Sequence, residues 1–299
     1  MVRSAEIWNL TKKLKEFGVE TDSKLLWSKV IDRKENIIKS FEEEKAMGLK
    51  GRGVDLIKGE AVFTSESSIK VNNTTFTADK FVLALGSKAA RPPIPGIEHT
   101  ISSTDALSLR ELPKSILIIG GGVIAMEFSH IFASVGVDVT IVEMSDRLLS
   151  GEDEDSSKYI QKISEEMGIN VLVNSQVTKI NENGNKKTVE VKTSDEKVNI
   201  EVEQVMLAAG RIPNTDGLGL RDIGVQVEKS GIQVNEYLQT SVNHIYAGGD
   251  GIGGYMLTPV ASYEGRMASR NALKGNTDKV DYSLVTRTTF THPDRKSVV

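Results

Sequence analysis

The 299-residue chain contains no cysteine. Without thiols it can form no structural disulfide, no zinc–thiolate site and no redox-active dithiol of its own. Its four histidines are scattered along the sequence and do not show the close spacing of a metal-binding cluster. We therefore predict that the chain holds no metal ion.

Long apolar segments and a strong net charge are also lacking. No apolar run approaches the ~20 residues that a membrane helix needs, and the first residues contain no signal-peptide core. A net charge of −4 gives no electrostatic reason to expect nucleic acid or an anionic membrane as a partner. We therefore expect a cytoplasmic globular protein of one or two domains, with no nucleic acid and no membrane among its partners.

The first fifty residues carry helical patterns. Apolar residues between positions 7 and 17 recur at the spacing of one helical face, and Gly18 follows as a stop signal. A second helix is expected to start at Asp22 or Ser23, because either is a good N-cap, and to reach Gly48.

The next segment changes to the pattern of strands. Residues 54–57 and 68–71 are predicted to be short strands, and the apolar run 81–85 is closed by a glycine. The proline-rich stretch 91–96 cannot continue a helix or a central strand. We interpret it as a crossing between domains.

Residues 116–210 alternate strand and helix, which is typical of a parallel sheet with crossover helices. Within this region, Asn183 and Gly184 indicate a hairpin turn. The sequence therefore predicts an α/β fold.

The most informative motif covers residues 116–127, where four apolar residues lead into three glycines and a helical pattern. Gly120 allows a tight turn, Gly122 lets the backbone approach a pyrophosphate, and Ala125 is small where the helix packs against the strand. Free N–H groups at the start of the helix would point at the phosphates. The residues expected to bind the cofactor are Gly120, Gly121, Gly122, Val123 and Ile124.

A second strand, residues 137–142, ends at Glu143, which lies 23 positions after Gly120. A dinucleotide-binding unit is expected to have an acidic residue about 20 positions on, where it accepts hydrogen bonds from the adenosine ribose. The negative charge of Glu143 would repel a 2′-phosphate, which favours NAD over NADP. Arg147 lies near enough to leave NADP as an alternative.

A third motif, residues 240–250, is a short strand that ends in two glycines and Asp250. Asp250 is able to accept a hydrogen bond from a sugar-alcohol hydroxyl. By itself this pattern indicates only a turn. Residues 83–87 and 207–211 contain two similar strand ends, each followed by a glycine. This similarity makes a functional interpretation of residues 240–250 more specific.

In this order the segments resemble the flavoprotein pyridine nucleotide–disulfide oxidoreductases: dihydrolipoamide dehydrogenase, glutathione reductase and mercuric reductase. Residues 80–96 resemble the strand and linker leaving the family's FAD domain, and residues 116–143 resemble its NAD fingerprint. Residues 205–214 resemble the return strand, and residues 240–250 resemble the second FAD-contacting motif. The resemblance implies two cofactors, FAD and NAD, and two interleaved Rossmann-like nucleotide-binding domains.

The resemblance also implies roles for individual residues. Asp250 would hold the ribityl chain of FAD, and Gly210 would bind cofactor at the return strand. Glu127 matches a catalytic glutamate near the flavin and nicotinamide rings, which in the family pairs with a lysine after the redox disulfide. The residues that would face the pyrimidine end of the flavin are Met256, Leu257 and Thr258.

Carried along the chain, the resemblance assigns residues 1–110 to the remainder of an FAD domain, 111–238 to the NAD domain, 239–281 to the second part of the FAD domain and 282–299 to a stub of the dimerisation domain. The family's first FAD fingerprint, its CxxxxC motif and its acid/base histidine have no counterpart in the sequence, and His292 is not that histidine. We therefore expect a fragment of an enzyme that is a homodimer in its family.

The implied function is hydride transfer between NAD(H) and flavin, with a small dithiol or disulfide as substrate of the complete enzyme. Glu143 favours a dihydrolipoamide dehydrogenase-like enzyme, whereas residues 257–261 resemble glutathione reductase, and mercuric reductase stays a further alternative. Because the chain has no cysteine, a truncated NAD-binding module without disulfide reductase activity is the other interpretation.

Overall fold

The structure, a computed structural model, describes residues 1–291 and the backbone of residues 295–298. The α-helices are α1 (Val2–Lys13), α2 (Trp27–Gly51), α3 (Ser103–Leu107), α4 (Val123–Ser134), α5 (Glu154–Glu166) and α6 (Thr258–Lys274). The strands are β1 (Ala61–Ser65), β2 (Ser68–Val71), β3 (Thr74–Thr77), β4 (Phe81–Leu83), β5 (Ser87–Ala89), β6 (Ile101–Ser102), β7 (Ser115–Ile119), β8 (Asp138–Val142), β9 (Asn170–Leu172), β10 (Gln176–Asn183), β11 (Lys186–Lys192), β12 (Lys197–Val202), β13 (Gln204–Leu207), β14 (Arg211–Pro213), β15 (Val227–Glu228), β16 (Gly231–Ile232), β17 (Ile245–Ala247), β18 (Thr286–Thr289) and β19 (Arg295–Val298).

The chain forms two compact units from interleaved segments. Unit 1 contains Met1–Glu43 and Ala89–Gly210, together with the described part of Thr288–Ser297. Unit 2 contains Glu44–Lys88 and Arg211–Arg287. The predicted domain boundaries at residues 110, 238 and 281 stay a prediction.

Unit 1 is built on a five-stranded parallel sheet in the order β6-β13-β7-β8-β9. The central strands β7 and β8 are buried after their first residue because helix α4 covers one face of the sheet and the antiparallel sheet β10-β11-β12 covers the other. On the helical side Met126 and Phe132 pack against Ile118 and are themselves fully buried. Each such side chain contributes roughly 1.5–3 kcal/mol to the free energy of folding.

The two N-terminal helices belong to unit 1, where Ala5, Trp27 and Ile31 pack against Ile131 of α4. The Trp27 indole N–H also donates a hydrogen bond to the Leu109 carbonyl at 2.7 Å. These contacts are the reason that α2 begins at Trp27 rather than at the predicted Asp22 or Ser23: the buried ring anchors the first turn of the helix.

The apolar residues that predicted α1 do not form its buried face. Ile7, Leu10 and Phe17 are all more than half exposed, and Ala5 is the helix's buried residue. The predicted stop is confirmed, because Gly18 adopts a left-handed backbone with φ of 73° after the short 3-10 turn that follows α1.

Unit 2 contains the parallel pair β4 and β17, covered on one side by α6 and on the other by loops carrying Leu220 and Ile223. Strands β1, β2 and β3 form an antiparallel meander. The predicted strand at residues 54–57 is wrong: these residues form no strand, Val54, Leu56 and Ile57 are exposed, and the strand that precedes β2 is β1, which starts at Ala61. A strand pattern without a partner strand does not form a strand.

The α/β architecture with a parallel sheet confirms the predicted fold class. The predicted hairpin is also confirmed, because Asn183 pairs with Lys186 and Gly184 has φ of 62°. No helix in the described part of the chain has the length and apolar character needed to cross a bilayer. His292 lies outside the described residues.

Candidate functional site

The turn between β7 and α4 depends on Gly120. Its φ is 109°, a conformation that side chains disfavour, and its N–H donates to the Val142 carbonyl at 2.8 Å. A Cβ at this position would lie 2.5 Å from the Ala208 carbonyl oxygen, at the end of the neighbouring strand β13. Gly120 is therefore required by the fold itself.

Gly121 and Gly122 have different surroundings. A Cβ on Gly121 would lie 2.8 Å from the Leu148 side chain and 2.9 Å from Cγ of Glu143. A Cβ on Gly122 would meet nothing within 4 Å, and its backbone is extended, with φ of −80°. Gly122 thus borders open space, and it is the glycine at which a bound group is able to approach the backbone.

Helix α4 begins at Val123, directly after Gly122, and no side chain caps its N-terminus. Met126 N–H makes the first hydrogen bond of the helix, to the Gly122 carbonyl. The N–H groups of the first turn, including those of Val123 and Ile124, have no acceptor within the helix. With the positive end of the helix dipole they suit a phosphate, and the open space at Gly122 lets it approach.

Glu143 follows β8 and its carboxylate is held next to the glycine turn. Oε2 accepts a hydrogen bond from the Gly121 N–H at 2.5 Å, and Oε1 accepts one from the Ser145 N–H at 2.6 Å. Each carboxylate oxygen has a second lone pair that is able to accept a ribose hydroxyl. The structure therefore brings Glu143 and the glycine turn together, as the sequence predicted.

Arg147 is the residue whose nearby positive charge kept NADP as an alternative to NAD. It makes its hydrogen bonds within its own loop. Its guanidinium donates to the Ser150 carbonyl at 3.1 Å and approaches the Asp146 carboxylate at 3.5 Å. The positive charge is thus directed at these groups and not at Glu143.

Gly210 lies on the same edge of the parallel sheet as Gly120. Leu207 of β13 pairs with Ile119 of β7, and both strands end there. Gly210 has φ of 100°, and a Cβ there would meet nothing within 4 Å. The carboxyl ends of parallel strands are the usual place for ligands in such sheets.

Glu127 lies one turn into α4 and is half-buried. One carboxylate oxygen accepts a hydrogen bond from the Phe290 backbone N–H at 3.1 Å. Burial raises the pKa of Glu127 above its usual value, and the hydrogen bond from Phe290 partly opposes this effect. Glu127 therefore holds its proton to a higher pH than an exposed glutamate does.

In unit 2, Asp250 lies in the turn after β17, which runs parallel to β4. The Ser87 hydroxyl donates to Asp250 Oδ2 at 2.6 Å. Oδ1 receives no hydrogen bond from the described residues and is able to accept one from a ligand hydroxyl.

Sequence analysis missed two residues that hold this carboxylate. Arg211 donates from Nε to the Ser87 hydroxyl oxygen at 2.7 Å and from Nη2 to the Ser87 carbonyl at 2.6 Å. Ser87, Arg211 and Asp250 each directly follow a glycine at the end of a strand. This shared position after a glycine is the sequence feature that could have pointed to Ser87 and Arg211.

Sequence analysis also missed Glu264, a buried residue of α6. Its carboxylate accepts hydrogen bonds from the Gly249 N–H at 2.6 Å and from the Tyr282 hydroxyl at 2.8 Å. Burial raises the pKa of Glu264, and it also raises that of Tyr282. Glu264 ties the backbone of the Gly249 turn to α6.

The segment that leads into α6 contains the last of the predicted cofactor residues. Met256 has φ of 50°, a left-handed conformation that is uncommon for a residue with a side chain. Leu257 occupies the N-cap position of α6, and Thr258 is the first residue of the helix. A proline lies in the first turn. Backbone strain of this kind is often found at ligand sites.

A family model described as pyridine nucleotide-disulphide oxidoreductase matches residues 4–265. This match covers most of the chain. The chain belongs to the pyridine nucleotide–disulphide oxidoreductase family. Members are flavin-dependent enzymes, and FAD is the cofactor expected for them.

Individual relatives support this family assignment. A mercuric reductase of Staphylococcus aureus is 35% identical over all of this chain, which covers 55% of that protein. A dihydrolipoyl dehydrogenase of Acholeplasma laidlawii is 34% identical over 94% of this chain and 84% of that protein. Among solved structures, the HOCl-induced flavoprotein disulfide reductase RclA of Escherichia coli superposes with a TM-score of 0.85 at 28% identity, over 99% of this chain and 65% of that one. The chain spans about half the length of the mercuric reductases that it matches.

The residues predicted to bind cofactors fall in both units. Unit 1 carries the glycine turn, Glu143 and Gly210, and unit 2 carries Asp250 and the segment from Met256 to Thr258. In the described residues no group of three or more His, Cys, Asp or Glu side chains is arranged to hold a metal ion.

Proposed function

We propose that the chain binds NAD(H) through unit 1 and the ribityl chain of FAD through unit 2, as part of an enzyme that transfers hydride between NAD(H) and flavin. The observation that carries this proposal is the pairing of an open glycine, Gly122, with the carboxylate of Glu143. The domain boundaries predicted at residues 110, 238 and 281 form part of the proposal.

Glu143 supports NAD rather than NADP as the nucleotide. Its carboxylate is held by two backbone N–H groups, so it is positioned before a ribose arrives. A 2′-phosphate would face this negative charge, while Arg147 is engaged with Ser150 and Asp146. A hydrogen bond to a charged acceptor contributes roughly 1.5–3 kcal/mol, which corresponds to a roughly ten- to hundredfold preference for NAD.

The test is a titration of the purified chain with NADH and NADPH, followed by nucleotide fluorescence. The unmutated chain should bind NADH more tightly, Glu143→Ala should narrow the difference, and Glu143→Arg should reverse it. Asp138→Ala is the matched control, because it removes an exposed carboxylate at the opposite end of β8 from Glu143 and should leave the preference unchanged. Equal affinities for the two nucleotides in the unmutated chain would contradict the assignment.

Unit 2 supports FAD as the second cofactor. Asp250 offers one unoccupied carboxylate oxygen, and the start of α6 offers backbone N–H groups that would stabilise negative charge on a reduced ring. When bound, the flavin supplies the two-electron chemistry that exchanges hydride with nicotinamide. Met256, Leu257 and Thr258 would then lie against the pyrimidine end of the ring.

Glu127 is the proposed catalytic residue. It lies on the helix that starts at the glycine turn, and burial raises its pKa above the usual value. A carboxyl group of this kind is suited to hold or release a proton beside reacting rings.

We infer the class of electron acceptor from the similarity of the chain to its relatives. Glu143 favours a dihydrolipoyl dehydrogenase-like enzyme, and the mercuric and glutathione reductases among the relatives keep two other substrates open. Thiolates are the nucleophiles of disulfide exchange, and the 299 residues contain none. The chain with its own residues alone should therefore not reduce a disulfide substrate or oxidise dihydrolipoamide.

An absorption spectrum and an activity assay test this part. Flavin bands that stay with the chain through gel filtration, either as purified or after addition of FAD, would support the proposed FAD site. NADH oxidation should then proceed with a small artificial acceptor and not with lipoamide. Lipoamide-dependent oxidation above the rate without enzyme would contradict the proposal that this chain cannot exchange thiols.

A further inference from the structure

Three polar residues that follow strand-ending glycines meet in one chain of hydrogen bonds. Ser87 and Arg211 are 124 positions apart, and Ser87 and Asp250 are 163 positions apart. The contacts run from Arg211 Nε to the Ser87 hydroxyl at 2.7 Å and from that hydroxyl to Asp250 Oδ2 at 2.6 Å. Ser87 and Arg211 are the first residues of the paired strands β5 and β14, and Asp250 follows β17, so all three lie within unit 2.

The direction of each hydrogen bond follows from the chemistry of the groups. Arginine has only donors, so Nε–H donates to the Ser87 oxygen. The single hydroxyl proton of Ser87 is therefore directed at the Asp250 carboxylate. Arg211 also donates from Nη2 to the Ser87 carbonyl at 2.6 Å, which holds Ser87 by both its side chain and its backbone.

The backbone of the turn is held by a different residue. The Glu264 carboxylate accepts the Gly249 N–H at 2.6 Å, and Glu264 also receives the Tyr282 hydroxyl. Removing the Ser87 hydroxyl would therefore free the Asp250 side chain while the Gly249 turn stays anchored to α6. The orientation of the carboxylate depends on Ser87.

We propose that Ser87 and Arg211 are positioning residues that orient the Asp250 carboxylate, so that Oδ1 faces a ribityl hydroxyl of the flavin. Arg211 polarises the Ser87 hydroxyl, and Ser87 fixes the plane of the carboxylate through Oδ2. The inference rests on the proposed function, since it takes Asp250 as a ligand of the ribityl chain. It assigns roles to two residues that lie outside the predicted cofactor site.

Two flavin probes separate positioning from a general structural effect. Riboflavin carries the ribityl chain, and lumiflavin has the same ring system without it. Titration of the full chain with each probe, followed by quenching of flavin fluorescence, gives the two affinities. Ser87→Ala should weaken riboflavin binding about tenfold, the equivalent of one hydrogen bond to a charged group, and leave lumiflavin binding unchanged.

Ser87→Thr is the matched control, because it keeps the hydroxyl at a strand position that accepts a β-branched residue. It should bind riboflavin within about twofold of the unmutated chain. Asp250→Asn combined with Ser87→Ala should lose no more affinity than Asp250→Asn alone, because both substitutions act on the same contact. An equal loss for both probes, or no loss for riboflavin, would overturn the proposal.

A second measurement needs no flavin. The Arg211 Nε–H should exchange slowly with solvent in nitrogen-15 NMR spectra, and Arg211→Lys assigns the signal by removing it. Ser87→Ala should make the exchange fast, and Ser87→Thr should keep it slow; unchanged exchange in Ser87→Ala would refute the hydrogen-bond chain. If the unmutated chain binds neither flavin, the proposed function fails and the positioning role with it, while the Nε–H signal still reports the hydrogen-bond chain.

Discussion

The substitution Gly122→Val separates the ligand role of the glycine turn from its role in folding. The backbone at Gly122 is extended, and a Cβ there would meet nothing within 4 Å. Valine therefore fits the folded chain without strain. Its side chain would occupy the space that a pyrophosphate needs next to the N-terminus of α4.

For Gly122→Val, the expected loss of stability is much smaller than the expected loss of NADH binding. Gly122 is the N-cap of α4, and valine is a poorer N-cap than glycine by roughly 0.5–1.5 kcal/mol. That loss lowers the melting temperature by a few degrees at roughly 2–4 °C per kcal/mol. Loss of about two hydrogen bonds to a charged phosphate, at ~1.5–3 kcal/mol each, should weaken NADH binding at least about a hundredfold.

The assay compares melting temperature by circular dichroism with the dissociation constant for NADH. Gly120→Val is the contrasting variant: with φ of 109° and the Ala208 carbonyl oxygen 2.5 Å from the new Cβ, it should lose the fold together with binding. Near-normal NADH affinity in Gly122→Val would show that the glycine turn is only structural. Unfolding of Gly122→Val would equally refute the reasoning, because the structure shows no clash at this position.

Two further substitutions test charge and packing in unit 1. Burial raises the pKa of Glu127, so its contribution to stability is fully present below its ordinary value of 4.5 and is lost as pH rises through the raised pKa. Glu127→Gln keeps an acceptor for the Phe290 N–H and does not titrate, so its urea midpoint should rise relative to that of the unmutated chain as the pH rises above 4.5; a difference between the two midpoints that does not depend on pH would contradict this. Ile31 is fully buried and packs against Ile131. Ile31→Ala should therefore lower the free energy of unfolding by about 2–5 kcal/mol without changing NADH affinity. A loss below about 1 kcal/mol in urea unfolding would show that this packing is weaker than the structure indicates.

The glycine turn between β7 and α4 could be predicted because each of its features is local in sequence. An apolar run predicted β7, the glycines predicted the turn, and the spacing to Glu143 predicted the acidic end of β8. Neighbouring residues carry all of this information, since the parallel sheet needs only continuous apolar strands and short turns.

The start of α2 and the false strand at residues 54–57 show where local patterns failed. Asp22 is a good N-cap, but the helix begins where the Trp27 ring is buried and donates to Leu109. Residues 54–57 alternate like a strand, but Val54 and Ile57 are exposed and the segment pairs with no strand of the described chain. In both cases distant residues decided the outcome.

The sequence by itself determined the α/β class and the glycine turn of unit 1, together with the polar residues that follow the strands. Only the tertiary structure decided that Arg211 and Ser87 hold the carboxylate of Asp250, and that Glu264 is buried beneath the Gly249 turn. A glutamate in a polar helix and a serine after a glycine look like surface residues in sequence. Hydrogen bonds between residues more than a hundred positions apart depend on how strands are ordered in a sheet, and local spacing does not specify that order.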